Sequence, residues 1–498
     1  MGMSSAEKNQ RSEPVANGPK STTALGELYS PSVTAKLWSV AEQALKLNAS
    51  PPTLFPEYTH PGGSKYVYRD LRFWTSGFFP GSLYLLLERQ IRYPHVFHQS
   101  QEQQPSTPLH RLQLEHACTW WTENLHANAH LSTTHDIGFM TMLWARPAWE
   151  TRHDARALET LKTAAATLKG RFSPSVGAIR SWDSCVTRAY RFEEPAGEFL
   201  VIIDNMMNLS LLFYVAAQTG DAAMREVAVR HARTTRRTHV RADGTTVHLA
   251  VLDPEDGAVR QRLTNQGRHH GSCWSRGQAW AVAGFAEAWG WTREDEFLDA
   301  AVLCADAFLA RMPEGDDAVP PWDFEPAEEA VMGDFVSIAE PVDKGEKLEG
   351  LAEPTDTSAA MIASYGFLLI YEALKVRKSV HAQKYLDAAL RITNAVCKGY
   401  LTPRGKFVTP QANGATVRSI VDRPDGHGAE EQDVAVVGFD VDDGGCEAIL
   451  DGATINNYEF APRRWANHSL VYADYYFMVV GNKLLEMGIG HDFVGLGV

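Results

Sequence analysis

The sequence predicts an all-α fold, a closed (α/α)6 barrel in which six inner helices alternate with six outer ones. Three observations predict it. Apolar residues recur at helical spacing along most of the 498 residues. Some connections between helices are tight, whereas others are long and rich in Gly, Pro and aromatic residues. Unusual polar and aromatic residues stand before every second helix. We therefore expect one domain over residues 29–498.

The apolar spacing indicates about twelve helices. They are predicted at 34–47, 81–92, 108–127, 137–146, 157–172, 205–218, 221–238, 275–289, 294–311, 357–374, 380–400 and 468–486. Tight links at 218–221 and 289–295 predict antiparallel neighbours. Long connections inside a compact domain are usually functional. The longest of them, at 401–467, is expected to be an insertion into the domain.

Six short segments open the even-numbered helices: FWTSGFFPG, THDIGF, IIDNMMN, SCWSRGQAW, EPTDTSAA and WANHSLVY. If successive helices alternate in direction, all even helices run parallel and these segments meet at one end of the barrel. Residues 205–217 are apolar around most of the helix, as inner helices should be, whereas 221–237 carry a charged stripe. The alternative is an open α-solenoid of helical pairs. No residue signature repeats at a fixed period, which favours the closed ring.

Composition and charge limit the function classes. Residues 1–28 are expected to be a disordered tail, because their start is polar and lacks the apolar stretch of a secretory signal. We therefore expect a cytoplasmic protein. No apolar stretch reaches the roughly 20 residues of a membrane span, so no membrane partner is expected. A net charge of -14 argues against a nucleic-acid partner. Six cysteines without CxxC spacing indicate reduced, buried thiols.

Two acidic residues, Asp136 and Asp204, each stand one position before an even-numbered helix. The simplest interpretation is that each carboxylate caps its helix, where it would accept a backbone N–H. The apolar run FLVII before Asp204 nevertheless predicts burial, which raises the pKa of a carboxyl group. The barrel also brings both residues to the same rim. Paired carboxylates in different environments are typical of acid/base chemistry on sugars, so both are candidate catalytic residues.

Six tryptophans lie in or beside the segments at this rim. Aromatic faces stack on the C–H faces of sugar rings, so a mouth rich in tryptophan favours a carbohydrate ligand over simple core filling. The six are Trp74, Trp182, Trp274, Trp280, Trp322 and Trp465.

Arg276 lies in the first turn of a predicted helix, where the helix dipole disfavours a cation. This placement indicates a role with an anion. Gln266, Arg268 and His248 are nearby in sequence and offer further hydrogen-bond donors. Together they would give an acidic chain a local positive site.

No metal and no cofactor are expected. The adjacent histidines of RHH at 268–270 lack a third ligand at helical spacing. The run DVDDGG at 440–445 lacks the alternating acids and the closing glutamate of a calcium loop. The chain has neither a GxSxG elbow nor a phosphate-binding glycine motif, which argues against serine nucleophiles and nucleotides.

The rim segments resemble the unsaturated glucuronyl hydrolases of glycoside hydrolase family 88. The resemblance rests on WTSGFFPG, HDIGF, IDNMMN, HVRADGTTVH, NQG, CWSRGQAW, DTSA and YADYYF in that order. It implies an (α/α)6 barrel that releases a 4,5-unsaturated uronic acid from the non-reducing end of oligosaccharides produced by polysaccharide lyases. The implied reaction hydrates the C4=C5 enol ether and does not attack the anomeric carbon.

The resemblance also implies roles for single residues. Asp204 matches the acid/base that protonates C4 and then activates the water that adds at C5. Asp136 matches the second essential acid, which binds substrate hydroxyls. The residues that match the substrate-binding set are Trp74, His248, Gln266, Trp274, Arg276 and Trp280, with Tyr472 as a looser match.

Three other functions stay open at this point. The first is a related unsaturated rhamnogalacturonyl hydrolase, because GRHHGS after Gln266 and the acidic insertion at 401–467 could reshape the leaving-group side. The second is a conventional inverting glycosidase on the same barrel. The third is a helical scaffold or sugar-binding protein without catalysis, in which Asp204 would only cap its helix.

Overall fold

The computed structural model describes residues 23–97, 108–324, 353–408, 416–422, 429–435 and 439–496. Its α-helices confirm all twelve predicted helices. They are α1 (Pro31–Leu47), α2 (Phe78–Arg92), α3 (Arg111–Thr122), α4 (Ile137–Arg152), α5 (Ala155–Lys169), α6 (Asn205–Thr219), α7 (Ala222–His239), α8 (Ser275–Thr292), α9 (Asp295–Ala310), α10 (Thr357–Val376), α11 (Ala382–Gly399) and α12 (Val471–Glu486).

The even-numbered helices form a closed inner ring. Each contacts the next even helix, and α12 packs against α2 to close the circle. Outer helices cover this ring, with α3 on α2, α5 on α4 and α6, α7 on α6, α9 on α8 and α11 on α10. Contact between α12 and α2 excludes an open solenoid. The predicted (α/α)6 barrel is confirmed, and its inner helices start at one end.

Glycines allow the first turns of neighbouring inner helices to approach closely. A Cβ atom on Gly77, just before α2, would lie 2.1 Å from the carbonyl oxygen of Phe139 in α4. One on Gly138 would lie 2.5 Å from Oδ1 of Asn208 in α6. The same Asn208 oxygen accepts a hydrogen bond from the backbone N–H of Phe139 at 3.0 Å. The predicted motifs WTSGFFPG, HDIGF and DNMMN therefore hold the starts of α2, α4 and α6 together.

Short antiparallel strands, none of which were predicted from the sequence, lie in the long connections. The strands are β1 (Leu54–Thr59), β2 (Tyr66–Asp70), β3 (Phe172–Ser173), β4 (Ala178–Ile179), β5 (Cys185–Val186), β6 (Arg191–Phe192), β7 (Phe199–Ile202), β8 (Leu249–Leu252), β9 (Val259–Leu263), β10 (Lys406–Val408), β11 (Thr416–Asp422), β12 (Ala429–Ala435) and β13 (Asp440–Asp442). Strands β7, β8 and β9 form one sheet, in that order. The other described strands pair two by two.

The predicted N-terminal tail is too long by several residues. Leu25–Tyr29 form a 3-10 turn, in which Leu25, Leu28 and Tyr29 are buried. The Tyr29 hydroxyl donates a hydrogen bond to the carbonyl oxygen of Gly481 in α12 at 2.9 Å. These apolar side chains directly follow a polar run, so the sequence pattern assigned them to the same tail. Residues 1–22 lie outside the described residues.

A buried carboxylate anchors part of the long connection between α11 and α12 to the inner ring. Asp474, in the first turn of α12, accepts hydrogen bonds from the backbone N–H groups of Ile449 and Leu450, both at 2.9 Å. The hydroxyl of Tyr66 in β2 also donates to it. These hydrogen bonds therefore tie the backbone of this connection to the barrel. That residues 401–467 are an insertion stays a prediction.

The structure also bears on the expectations for the cysteines and for a membrane span. All six cysteines are free and buried, as predicted. Among the described helices, α10 is long and apolar enough to cross a membrane by composition alone. It lies in the inner ring, where it packs against α8, α11 and α12.

Candidate active site

The first turns of α4 and α6 bring Asp136 and Asp204 to the same rim of the barrel. Within the described part of the chain, neither carboxylate accepts a hydrogen bond from the N–H groups of its own helix. Other aspartates of the protein do cap their helices. The carboxylate of Asp154, for example, accepts the N–H groups of Arg156 and Ala157 at the start of α5. Helix capping therefore does not account for Asp136 or Asp204.

One histidine lies between the two carboxylates. The Nε2 atom of His135 is 3.3 Å from Oδ1 of Asp136 and 3.5 Å from Oδ1 of Asp204. Its Nδ1 atom lies 3.1 Å from the carbonyl oxygen of Ser181. Because a carbonyl oxygen only accepts, Nδ1 carries a proton and the ring orientation is fixed. Nε2 thus faces both acids.

The electrostatics of this cluster favour a retained proton. Burial raises the pKa of Asp204, the negative charge of Asp136 adds to this, and the contact with His135 partly offsets both. For His135, burial alone would lower the pKa, but the carboxylates of Asp136 and Asp204 outweigh it and raise the pKa. Such close groups titrate as a unit. The cluster can therefore hold a proton at a pH where an isolated aspartate has lost its own.

Strand β7 explains why most of the Asp204 side chain is buried, with 18% of it exposed at the rim. Phe199 and Val201 pack into one apolar cluster and Leu200 and Ile202 into another, so both faces of the strand are covered. The strand ends two residues before Asp204. The neighbouring strand β8 starts directly after His248, whose carbonyl oxygen accepts the N–H of Ile203 at 3.0 Å. The pairing of β7 with β8 therefore places Asp204 and His248 next to each other at the rim.

His248 and Gln266 offer complementary polar groups. The Nδ1 atom of His248 accepts the backbone N–H of Asn265 at 3.0 Å. Burial lowers the pKa of His248 to about 3, so the ring is neutral and its proton is on Nε2. The Oε1 atom of Gln266 is buried and has no hydrogen-bond partner among the described residues. The Nε2 atom of His248 can therefore donate a hydrogen bond, and the Oε1 atom of Gln266 can accept one.

Arg276 does not stand as a free cation in the site. Its Nη1 atom donates to Oδ2 of Asp356 at 2.6 Å and to the carbonyl oxygen of Thr454 at 2.7 Å. Its guanidinium lies over the rings of Trp274 and Tyr472, at 4.6 and 5.3 Å from the ring centroids. The charge of Arg276 is therefore balanced by a buried carboxylate, and its plane supports the aromatic wall.

The predicted aromatic residues lie at different depths. Trp74 is partly exposed, and its ring lies 5.1 Å from that of Tyr472 and 5.7 Å from that of Phe139. Tyr472 and Trp280 are each only 1% exposed. Trp280 packs against Phe139 and Tyr476, at 5.4 and 5.5 Å between ring centroids. Trp74 therefore presents a face at the mouth, while Trp280 and Tyr472 form the layer beneath it.

The remaining rim tryptophans and Arg268 fall outside this core. Trp182 is the nearest of them, with its ring 6.3 Å from that of His135. The Nε1 atom of Trp322 donates to the carbonyl oxygen of Gln266 at 2.9 Å, so this buried side chain is a support. Trp465 packs instead against the rings of Tyr58 and His60. Arg268 forms an ion pair with Glu353.

Sequence reasoning missed two residues that the site depends on. His135 stands next to Asp136 in THDIGF, and Asp356 stands in EPTDTSAA before α10. Both segments were among the six that open even helices, which was the signal that could have found them. Among the described residues, no group of three His, Cys, Asp or Glu side chains is arranged to hold a metal ion.

An (α/α)6 barrel with paired carboxylates on one imidazole, under an aromatic mouth, defines a glycoside hydrolase. No protein-family model matches the chain. A curated relative, the unsaturated glucuronyl hydrolase of Bacillus sp. (strain GL1), is 32% identical over 346 residues, which are 70% of this chain and 79% of that protein. The chain belongs to the family of unsaturated glucuronyl hydrolases.

Solved structures agree with this family. The crystal structure of the unsaturated glucuronyl hydrolase from Bacillus sp. GL1, described as responsible for the degradation of glycosaminoglycan, has a TM-score of 0.66 and 26% identity. The match covers 94% of this chain and 97% of that one. A second structure, of a variant with dGlcA-Glc-Rha-Glc, matches with the same TM-score of 0.66. The resemblance found in the sequence motifs is confirmed.

Proposed function

We propose that this hydrolase releases a 4,5-unsaturated uronic acid from the non-reducing end of oligosaccharides by adding water across the C4=C5 enol ether. The observation that carries the proposal is the state of Asp204. Its carboxyl group lies behind an apolar strand with one oxygen buried and 18% of the side chain exposed. It caps no helix within the described chain and faces His135. A carboxyl group in this state can deliver a proton to carbon near neutral pH.

The proposed reaction begins with transfer of the Asp204 proton to C4. The C4=C5 π electrons form the new C–H bond, and positive charge develops between C5 and the ring oxygen. Water then adds at C5 and loses a proton to the Asp204 carboxylate, which restores the acid. The product is a hemiketal at C5. Its ring opens to a ketone, which leaves a hemiacetal at C1 that collapses to the aldehyde and releases the next sugar as an alcohol.

Asp136 and His135 have supporting roles in this scheme. The Asp136 carboxylate binds substrate hydroxyls and stabilises the positive charge that develops at C5. Its Oδ2 atom accepts a hydrogen bond from the Thr134 hydroxyl at 2.6 Å, which fixes its orientation. His135 acts as a positioning residue, because its Nε2 atom lies against both acids and partly offsets the rise that burial causes in the pKa of Asp204.

The other residues at the mouth give the site its shape. We assign the partly exposed face of Trp74 to stacking on a sugar ring. His248 donates from Nε2 to the uronate, and the free Oε1 of Gln266 accepts from a hydroxyl group. Trp274, Arg276, Trp280 and Tyr472 hold the aromatic wall behind them. The bound oligosaccharide of the relative, whose first sugar is dGlcA, supports this substrate class.

Paired substrates test the proposal. Unsaturated disaccharides from chondroitin, heparin, hyaluronan, alginate, gellan and ulvan are offered beside their saturated counterparts, and loss of enol ether absorbance is followed. We expect turnover of unsaturated substrates alone. Cleavage of a saturated disaccharide would support a conventional inverting glycosidase instead.

A further inference from the structure

A cavity lies at the opposite end of the barrel from the candidate active site. Its volume is about 670 Å³. We call it the C-terminal cavity, because five of the six inner helices line it with their second halves. Its central lining residues are Arg146, Glu150, Glu287, Tyr365, Tyr475 and Tyr476. The described residues that line it do not include Asp136, His135 or Asp204.

An aromatic layer separates this cavity from the active site. Phe139 and Tyr476 line the C-terminal cavity. On their other side they pack against Trp280, at 5.4 and 5.5 Å between ring centroids, and Phe139 also contacts Trp74. These aromatic rings therefore lie between the C-terminal cavity and the residues of the candidate active site.

The ion pairs in the C-terminal cavity leave one carboxyl group without a basic partner among the described residues. Its lining contains five glutamates and four basic side chains. Arg92 pairs with Glu88 at 3.0 Å, Arg146 with Glu150 at 2.9 Å, and Lys483 with Glu372 at 2.6 Å and with Glu486 at 3.1 Å. The fourth basic side chain, Arg293, lies over the Trp289 ring.

Glu287 is the carboxyl group without a basic partner. No Lys, Arg or His nitrogen of the described chain lies within ion-pair distance of it. Instead, the hydroxyl of Tyr365 donates to its Oε1 atom at 2.9 Å and the hydroxyl of Ser210 donates to Oε2. Burial raises the pKa of Glu287, and the hydrogen bonds from Ser210 and Tyr365, with the more distant charge of Arg146, offset this only in part. A cation bound beside Glu287 would relieve this cost of burial.

Two further features of the C-terminal cavity favour a positive ligand. The inner helices run parallel, so their C-terminal ends, which carry partial negative charge, surround its opening. Tyrosine rings also line its interior. Tyr475 and Tyr476 lie 5.3 Å apart at 88°, and Tyr365 lies 6.0 Å from Tyr476. Aromatic walls beside a carboxylate are the arrangement that binds alkylammonium groups.

We propose that the C-terminal cavity binds an organic cation, a primary or quaternary ammonium compound, with its charge beside Glu287 and its alkyl groups against Tyr365, Tyr475 and Tyr476. This site is separate from the proposed hydrolase reaction. Its test therefore needs no turnover and does not depend on the proposed function.

An isosteric pair of probes tests the charge requirement on the wild-type protein. Choline and 3,3-dimethylbutan-1-ol have the same shape, but only choline carries a charge. Calorimetry or saturation-transfer NMR should show choline binding at millimolar concentrations, at least 10-fold tighter than the alcohol. Equal binding of both compounds would overturn the proposal, and so would the absence of choline binding.

A matched pair of variants tests the location. Glu287→Gln keeps groups that can bond to the Ser210 and Tyr365 hydroxyls but removes the charge, so choline binding should weaken at least 10-fold. Glu226→Gln removes the same charge from an exposed position on α7 and should leave choline binding unchanged. Unchanged choline binding in Glu287→Gln would overturn the proposal. The wild-type comparison of the two probes stands even if this variant does not fold.

Discussion

The Nε2 atom of His135 lies 3.5 Å from Oδ1 of Asp204, an oxygen that is buried without a hydrogen-bond partner in the described chain. At this distance the interaction is electrostatic more than a formed hydrogen bond. The charge of His135 therefore acts on Asp204, but no donor among the described residues forms a hydrogen bond to this Asp204 oxygen. This is the arrangement expected of a carboxyl group that must give up its proton to a substrate.

His135→Gln should change the pH dependence of activity. The charge and contact of His135 lower the pKa of Asp204, so their loss raises that pKa. Because the proposed reaction needs protonated Asp204, activity is lost as pH rises through its pKa. The alkaline limb of the kcat/KM profile should therefore move to higher pH in the variant.

A histidine outside the site supplies the control for this experiment. His126, which contacts the Thr160 hydroxyl at 2.6 Å, can be changed to Gln without touching either acid. The alkaline limb of His126→Gln should coincide with that of the wild type. A limb that stays in place or moves to lower pH in His135→Gln would show that His135 does not act through Asp204.

Arg276→Met should strongly destabilise the fold. The side chains of Arg276 and Asp356 are 3% and 0% exposed, and removal of one partner leaves an uncompensated buried charge. Breaking such a pair costs about 3 to 5 kcal/mol. The midpoint of denaturant unfolding measures the effect, and the double variant with Asp356→Asn should recover part of it.

An exposed ion pair provides the comparison for Arg276. Lys162 and Glu159 on α5 are 2.6 Å apart with side chains 38% and 68% exposed. Lys162→Met should therefore cost less than about 1 kcal/mol. If Arg276→Met were as mild as Lys162→Met, Arg276 would not be the structural element that its contacts indicate, and a direct role with substrate would regain weight.

Gly138→Ala should destabilise the junction of α4 and α6. The added Cβ atom would lie 2.5 Å from Oδ1 and 3.0 Å from Cα of Asn208, so helix backbones must separate. Overpacking of this kind costs about 1 to 3 kcal/mol. Since Asp136 and Asp204 stand at these two helix starts, kcat should fall as well.

Gly290 in α8 is the matched control, because a Cβ atom there would meet nothing within 4 Å. Gly290→Ala should raise the free energy of unfolding by about 0.5 to 1 kcal/mol, since Ala favours the helix. Thermal unfolding of both variants decides the point. A neutral Gly138→Ala would mean that the close approach of the two helices is not needed.

Much of the architecture could be predicted because helical periodicity is a local signal. Residues 205–217 and 221–237 differ in apolar coverage, and this difference alone separated an inner from an outer helix. Short strands such as β7 could not be recognised, because an apolar run of five residues fits a strand or a buried helix turn equally well. The expected cytoplasmic location stays a prediction, as do the expectations on nucleic acid and membrane.

The site was predicted less completely for a physical reason. Asp136 and Asp204 stood out because each precedes a helix, but the imidazole of His135 gains its meaning only from contacts across two helices. Arg276 was expected to meet an anion of the substrate. The anion that it contacts is Asp356, which lies 80 positions further along the chain and cannot be paired with it from spacing.

The most direct test of the account is Asp204→Asn, measured for turnover of an unsaturated disaccharide and for thermal stability. Asn keeps the size of the side chain, and the Asp204 carboxylate caps no helix N–H in the described structure. We expect kcat to fall about 10²- to 10⁴-fold with unfolding temperature preserved. Asp154→Asn, at a true helix cap, should leave kcat unchanged. Turnover of Asp204→Asn within severalfold of the wild type would contradict the assignment of the proton donor.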